Sequence, residues 1–199
     1  MPYEVTRRFE GELCRYTGAK YAVAVNSATA ALMLAVQWWL GGGKGTVILP
    51  CRTYVSVPNA VKLAGGRVAF HSQRWRGEYQ LIQTPVWDSA CRFTSGMYRK
   101  WQFQCVSFAA RKILGIEQGG AILHDNAEAD AWFRRMRFDG RTEGVDPAED
   151  HFDLVGHHVI MLPSIAAQAM LRLYHLPKVN EDSGGSDDYP DISHHSAWL

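Results

Sequence analysis

Short apolar runs alternate with helical segments along this chain, and this alternation constrains the fold more than any other feature. The apolar runs have the length of strands, and the segments between them carry apolar residues at helical spacing. Strands that alternate with helices predict an α/β domain with a mostly parallel sheet. We predict strands at 21–25, 46–50, 67–70, 81–87, 105–108 and 120–123, and helices at 4–17, 30–40, 53–63, 125–138 and 163–174.

The composition is that of an ordinary soluble domain, with 199 residues, 47% hydrophobic residues and a net charge of +1. This charge gives no reason to expect nucleic acid or an anionic membrane as a partner. A local basic cluster (Arg134, Arg135, Arg137 and Arg141) is the exception, and the polar face of a helix explains it equally well. No run reaches the ~20 apolar residues of a membrane span, and no signal segment is expected. The four cysteines form no CxxC pair, so we expect no metal site, no disulfide framework and a cytoplasmic location.

Lys112 lies in a short loop between two apolar runs, five residues after Ser107 and shortly before Gly119 and Gly120. A lysine between apolar segments loses hydration, which disfavours its charged form. A neutral amine can condense with a carbonyl group, and enzymes hold pyridoxal phosphate by such a Schiff base. A partly exposed lysine at a strand end is the alternative, so Lys112 alone does not establish a cofactor site.

Two other strand ends carry polar residues. The first predicted strand runs into a polar turn at 26–29 and then into a helix, whose first amides lack internal partners and can bind an anion. Ser27 and Thr29 add hydroxyl donors there, although a simple helix cap is the alternative. Asp88 follows the run 81–87, and ligands of open α/β sheets bind at the carboxyl ends of strands. A turn or helix cap is again the alternative for Asp88.

Five ordered motifs resemble those of the DegT/DnrJ/EryC1/StrS sugar aminotransferase family, which are fold type I enzymes dependent on pyridoxal phosphate. They are KYAVAVNSATAAL at 20–32, LPCRTYV at 49–55, WDSAC at 87–91, SFAARK at 107–112 and QGG at 118–120. The resemblance extends from about Phe9 to Leu173. It implies a minimal version of the three-layer, aspartate aminotransferase-like large domain at 1–177. We expect a flexible acidic tail at 178–199, with Trp198 as its one possible anchor.

The resemblance implies a role for each matching residue. Lys112 would form the Schiff base and move a proton, and Asp88 would pair with the pyridine nitrogen. Tyr54 would lie against the cofactor ring, unless it is simply a core aromatic residue. The phosphate would be held at the helix N-terminus by Ser107, Thr29 and the amide of Ala28, with Ser27 in the same turn.

Four substitutions depart from the family pattern, and one of them is Ile160, where an arginine is usual. Cys91 replaces a glutamine that partners the cofactor's 3′-oxygen, and Ala28 replaces the glycine of the phosphate turn. His158 stands where an asparagine normally reaches the phosphate of the neighbouring subunit, so we count it among the cofactor-binding candidates. It adjoins His157, but neighbouring side chains on an extended segment point opposite ways, which argues against a metal site.

The chain is also shorter than the family pattern. Only ten residues separate Phe70 from Leu81. The C-terminal small domain of the family is expected to be absent after Leu173. Both differences would leave a more open cleft, because that domain helps to close the site over the substrate.

The resemblance implies an aminotransferase that moves an amino group from an amino acid to a carbonyl substrate such as a nucleotide-linked keto-sugar. It further implies a homodimer with shared active sites. One alternative is a decarboxylase or other α-carbon enzyme for a bulky or polymer-linked substrate, which the open cleft and the basic cluster would favour. Another is a non-catalytic binding protein with the same fold. The joint presence of Asp88, Ser107 and Lys112 weighs against that last alternative.

Overall fold

Helices cover both faces of a central sheet in the computed structural model, which describes residues 3–198. The strands are β1 (Tyr21–Val25), β2 (Thr46–Pro50), β3 (Arg67–His71), β4 (Tyr79–Gln80), β5 (Val86–Asp88), β6 (Phe103–Ser107) and β7 (Gly120–His124). The helices are α1 (Glu4–Thr17), α2 (Ala28–Leu40), α3 (Ser56–Leu63), α4 (Ala127–Met136) and α5 (Pro163–His175). Within the described residues no helix has both the length and the apolar character needed to cross a bilayer.

The main sheet has five strands in the order β1-β7-β6-β5-β4, and β2 pairs in parallel with β3. Strands β5 and β6 are parallel, whereas β7 runs antiparallel to both β1 and β6, and β4 runs antiparallel to β5. The α/β class is therefore confirmed, but the pairing is more mixed than the predicted, mostly parallel sheet. The loop between β6 and β7 contains no helix, and parallel neighbours need a crossover connection of that kind.

Alternate side chains of the strands face opposite helical layers, which accounts for the three layers. Val23 and Val25 of β1 belong to the core shared with α2, α3 and α4. Ala22 and Ala24, which alternate with these valines in sequence, belong to the core shared with α1 and α5. Helix α2 is buried continuously from residue 30 to 36, because it lies between the sheet and α3. The two apolar cores hold the sheet from both sides.

The predicted strand at 81–87 is in fact the turn of a hairpin and the start of its second strand, in which β4 pairs with β5. Gln83 has a φ of 72° between them, a left-handed conformation that interrupts an extended strand. The hydroxyl of Thr84 donates to the carbonyl of Leu81 at 2.7 Å and accepts from the amide of Val86 at 3.0 Å. These local bonds favour a turn inside a run that looks uniformly apolar in the sequence.

Residues 178–198 pack against the domain, so the predicted flexibility of this segment does not agree with the structure. The side chain of Ile192 is buried, and Trp198 is 9% exposed. The indole nitrogen of Trp198 donates to the side chain of Asn59 at 2.7 Å, so the predicted anchor is confirmed. Backbone bridges join Arg52 to Asp191 and Arg76 to Gly185. A few apolar groups thus fix a segment whose overall composition is acidic.

Carboxylates neutralise the basic cluster at the end of α4. Arg137 is 1% exposed and pairs with Glu10 and with Glu143, the latter at 2.8 Å. Arg134 pairs with Glu10 and Asp130, both at 2.7 Å. The other two arginines also face carboxylates, Arg135 with Asp153 and Arg141 with Asp150. The cluster therefore connects α4 to α1 and is not a free basic surface.

Arg137→Met is expected to destabilise the protein by up to about 3–5 kcal/mol, because it removes the buried cation that contacts both Glu10 and Glu143 and leaves them only Arg134 and Arg7. Urea unfolding monitored by circular dichroism measures this loss. Arg8→Met is the control, since the pair of Arg8 with Glu4 is exposed and contributes little. Equal midpoints for the two variants would contradict the structural role of Arg137.

Gly120→Ala is expected to destabilise the fold by about 1–3 kcal/mol, as overpacking does. A Cβ at position 120 would lie 2.6 Å from the amide nitrogen of Ala28 and 2.8 Å from the carbonyl oxygen of Val106, and both are backbone atoms. Gly11→Ala is the matched control. Nothing lies within 4 Å of a Cβ at position 11, and alanine in a helix is favoured by roughly 0.5–1 kcal/mol. Opposite shifts of the two urea midpoints are the expected result.

Candidate active site

A cavity of about 640 Å³ opens where several strands end, and its size is that of a small-molecule site. Strands β1, β5 and β6 point in the same direction, so their carboxyl ends meet at one edge of the sheet. The residues that follow these strands line the cavity, together with the loop that leads into β7. The topology of the sheet therefore brings polar residues from distant parts of the sequence to one place.

Eight of the nine predicted site residues line this cavity. They are Ser27, Ala28, Thr29, Tyr54, Asp88, Cys91, Ser107 and Lys112. The ninth, His158, is exposed outside the cavity and contacts the carboxylate of Asp139 at 2.8 Å. Among residues 3–198 no three potential metal ligands come together.

Asp88 ends β5 and is buried, with both carboxylate oxygens engaged. One oxygen accepts from the hydroxyl of Tyr79 at 2.8 Å, and the other accepts from the amide of Ala90 at 2.9 Å. Burial raises the pKa of Asp88, although these hydrogen bonds and the charge of Lys112 oppose the rise. A buried carboxyl group of this kind gains from a cationic ligand, because a nearby positive charge stabilises its ionised form.

Lys112 projects into the cavity from the loop after β6. Its amide donates to the carbonyl of Ala109 at 2.8 Å, which makes a tight turn. Its amine donates to the sulfur of Cys91 at 3.1 Å. Cys91 is buried at the cavity wall. The structure therefore joins the predicted reactive amine to the residue that departs from the family pattern.

The polar turn at 26–29 and the end of β6 present hydrogen-bond donors to the cavity. The hydroxyl of Ser27 accepts from the amide of Ala30 at 3.1 Å, so Ser27 is the N-cap of α2. The amides of Ala28 and Thr29 are in the first turn of α2, where amides lack intrahelical partners. Ser107 lines the same part of the cavity. Helix N-termini of this kind bind phosphate groups.

Sequence reasoning missed several residues of the site. Tyr79 connects Asp88 to the hydroxyl of Thr53, and both residues are buried. Trp75 and Tyr189 line the cavity from segments predicted to be irregular or flexible. The sequence signal for both residues was that each is an aromatic residue inside a polar segment. Such a ring loses contact with water only when it finds a partner elsewhere in the fold.

The comparisons with known proteins agree with the predicted family resemblance. A model of the DegT/DnrJ/EryC1/StrS aminotransferase family matches residues 1–73. The structure of DesV from S. venezuelae, in complex with a ketimine intermediate, is 21% identical with a TM-score of 0.69, over 86% of this chain and 56% of that chain. The structure of Helicobacter pylori PseC, an aminotransferase involved in pseudoaminic acid biosynthesis, is 19% identical with a TM-score of 0.73, over 86% and 57%.

A third similar structure is GDP-4-keto-6-deoxymannose-3-dehydratase (ColD) with bound GDP-perosamine. It is 18% identical with a TM-score of 0.72, over 87% of this chain and 61% of that chain. This chain thus spans between 56% and 61% of the length of the three structures. The chain has the fold of the pyridoxal phosphate-dependent aminotransferases, and its first 73 residues match the DegT/DnrJ/EryC1/StrS family.

Proposed function

We propose that this protein is a pyridoxal phosphate-dependent aminotransferase that transfers an amino group from an amino acid to a carbonyl substrate such as a nucleotide-linked keto-sugar. The observation that carries this proposal is the convergence of Lys112, Asp88 and Ser107 on one cavity. The description of PseC as an aminotransferase supports the same reaction class. The amino donor and the particular sugar are not part of the proposal.

The residues present suit each part of pyridoxal 5′-phosphate. The first turn of α2 and Ser107 offer amide and hydroxyl donors to a phosphate. The buried carboxyl group of Asp88 suits a protonated ring nitrogen. The amine of Lys112 suits the aldehyde carbon. When bound, this cofactor supplies a conjugated ring that accepts the electron pair released at the substrate's α-carbon.

Lys112 has two tasks in the proposed reaction. Its amine would hold the cofactor covalently. When free, the same amine would act as the base that removes the proton from the α-carbon of the amino acid. The sulfur of Cys91, at 3.1 Å, holds the free amine inside the cavity during this step.

Asp88 would keep the ring nitrogen of the cofactor in its charged form. The bonds from Tyr79 and Ala90 fix the orientation of the carboxylate, so it needs no reorganisation when the ring is bound. Tyr79 is in turn fixed by the hydroxyl of Thr53. Tyr54 is 58% exposed at the rim of the cavity, where it can lie against a bound ring.

The proposal includes a cytoplasmic homodimer with shared active sites. The exposed position of His158 supports this arrangement, because it leaves the side chain accessible to a second copy. The four cysteines carry free thiols, which suits a reducing compartment.

Two other functions remain as alternatives with weaker support. ColD is described as a dehydratase and has this fold, so a different α-carbon reaction is compatible with the site. The basic cluster, which favoured a polymer-linked substrate, pairs with carboxylates and no longer supports that substrate. A non-catalytic binding protein has no need for a lysine and a buried acid that face one cavity.

Wild-type protein incubated with pyridoxal 5′-phosphate is expected to gain a visible absorbance band. Borohydride should remove this band and leave a pyridoxyl group on Lys112, which peptide mass spectrometry detects. Added glutamate should convert the band with release of 2-oxoglutarate and without release of CO₂. Lys112→Ala should abolish all three results, whereas Lys100→Ala, a change at an exposed lysine, should retain them. Identical spectra for wild type and Lys112→Ala would refute the proposed function, and CO₂ release would favour the decarboxylase.

Asp88→Asn is expected to stabilise the cofactor-free protein at neutral pH while it weakens cofactor binding. Because folding raises the pKa of Asp88, the folded chain binds its proton more tightly than the unfolded chain. The free energy of unfolding therefore falls as the pH rises from the ordinary carboxyl pKa, about 4, through the raised value. Asparagine cannot ionise, so the variant does not undergo this pH-dependent fall in the free energy of unfolding.

Thermal unfolding between pH 3 and pH 8 tests this expectation at roughly 0.5-unit steps, fine enough to resolve the titration of one carboxyl group. The gain in melting temperature should appear above the raised pKa and disappear below about pH 4. Asp187→Asn is the control, because Asp187 is exposed. A difference in melting temperature between the variant and wild type that stays constant from pH 3 to pH 8 would contradict the raised pKa of Asp88.

A further inference from the structure

Residues 182–192, here called the C-terminal wall, close one side of the cavity through backbone hydrogen bonds. They contact three separate parts of the site. The bonds run from Gly77 to Gly184, from Ser183 to Cys91, from Ser186 to Trp75 and from Ile192 to Cys51, at 2.8–2.9 Å. The partners Cys91, Trp75 and Gly77 themselves line the cavity. The wall is thus attached to the site residues and not to a remote surface.

Charged side chains fix the start of the wall. Arg92 donates to both carboxylate oxygens of Asp182, at 2.9 and 2.6 Å, and also to Glu78 at 2.6 Å. Such a bidentate pair fixes geometry as well as charge. A Cβ at Gly77 would lie 2.3 Å from the carboxylate of Asp182, so glycine makes room for this contact.

Tyr189 is the residue of the wall that reaches the reactive groups. Its ring stacks on Trp75 with centroids 5.7 Å apart and an interplanar angle of 23°. Its hydroxyl lies 3.9 Å from the sulfur of Cys91, which also accepts from the amine of Lys112. Its main-chain carbonyl accepts from Arg52 at 3.1 Å, so the backbone is fixed as well.

The phenol of Tyr189 acts as a hydrogen-bond donor. Burial and the neighbouring Cys91 raise its pKa, so the phenol keeps its proton at physiological pH. A phenol is a stronger donor than a thiol, so its O–H points to the sulfur of Cys91. The sulfur then receives two donors, one from Tyr189 and one from Lys112.

We infer that Tyr189 is a positioning residue for Lys112 that acts through Cys91, and that the C-terminal wall is a fixed part of the active site. When the phenol occupies the sulfur, less of its acceptor capacity remains for the charged amine of Lys112. Loss of the phenol therefore strengthens the contact between Cys91 and the amine of Lys112 and makes the amine less available to react. The catalytic importance of this effect rests on the proposed function, whereas the contacts of Cys91 with Tyr189 and Lys112 do not depend on it.

The test uses cofactor-free protein and trinitrobenzenesulfonate, a reagent that reacts with neutral amines. Modification of Lys112 is followed by peptide mass spectrometry as a function of pH. For Tyr189→Phe we expect the rate of Lys112 modification to fall about two- to tenfold, the range that one neutral hydrogen bond supports. Tyr174→Phe is the control, because Tyr174 is 85% exposed on α5, and it should behave as wild type.

A double-mutant cycle separates positioning from a general structural role. In a Cys91→Ala background, Tyr189→Phe should have no further effect on the reaction of Lys112. An equal effect with and without Cys91 would overturn the inference, and so would a Tyr189→Phe protein that reacts as wild type does. Neither result depends on whether wild type binds pyridoxal phosphate, so failure here is distinct from failure of the proposed function.

Hydrogen exchange tests the wall itself in the same cofactor-free protein. The amides of Ser183, Ser186 and Ile192 should exchange at least about tenfold more slowly than in an unstructured chain, because each donates to a backbone carbonyl. Tyr189→Phe should retain this protection if the variant is folded. Exchange at the unstructured rate in wild type would overturn the assignment of the wall.

Discussion

The close approach of β7 to the first turn of α2 fixes the position of nearly everything in the cavity. Gly120 starts β7 directly beside Ala28, on one side, and Val106 of β6, on the other. Gly119, with a φ of 134°, forms a bridge with Ser27 just before it. A side chain at position 120 would push the first turn of α2 away from the strand that ends at Ser107. The same glycine thus sets the distance between the proposed phosphate site and the lysine loop.

The burial of Asp88 suits the proposed function but lowers the stability of the fold. The carboxyl group loses its hydration in exchange for only two hydrogen bonds, and its raised pKa records that loss. A group selected for stability alone would be neutral at this position. The arginine network of α4 shows the opposite case, because Arg137 and Glu10 compensate each other and bind no ligand. Burial raises the pKa of Glu10 as well, so the cavity beside Asp88, and not the direction of its pKa shift, makes Asp88 the candidate functional acid.

The sequence predicted the parts of the site that depend on local order along the chain. Asp88, Ser107 and the turn at 26–29 each follow a strand, and parallel strand ends meet at one edge, so their convergence could be inferred. Tyr189 could not be placed in this way, since its partners are about one hundred residues away and no periodic pattern surrounds it. The hairpin at 81–87 was missed for a different reason. Its turn depends on side-chain bonds of Thr84, which an apolar run conceals.

The substitution at position 91 and the placement of the C-terminal wall are best understood together. A glutamine there would offer both a donor and an acceptor to its neighbours, whereas a thiol offers only a weak form of each. With Cys91 in place, the phenol of Tyr189 and the amine of Lys112 converge on the same sulfur. The ring that Trp75 and the wall hold in place therefore limits how much of the sulfur's acceptor capacity is left for the amine of Lys112. A departure from the family pattern at one residue is thus coupled to a segment that lies far from it in the sequence.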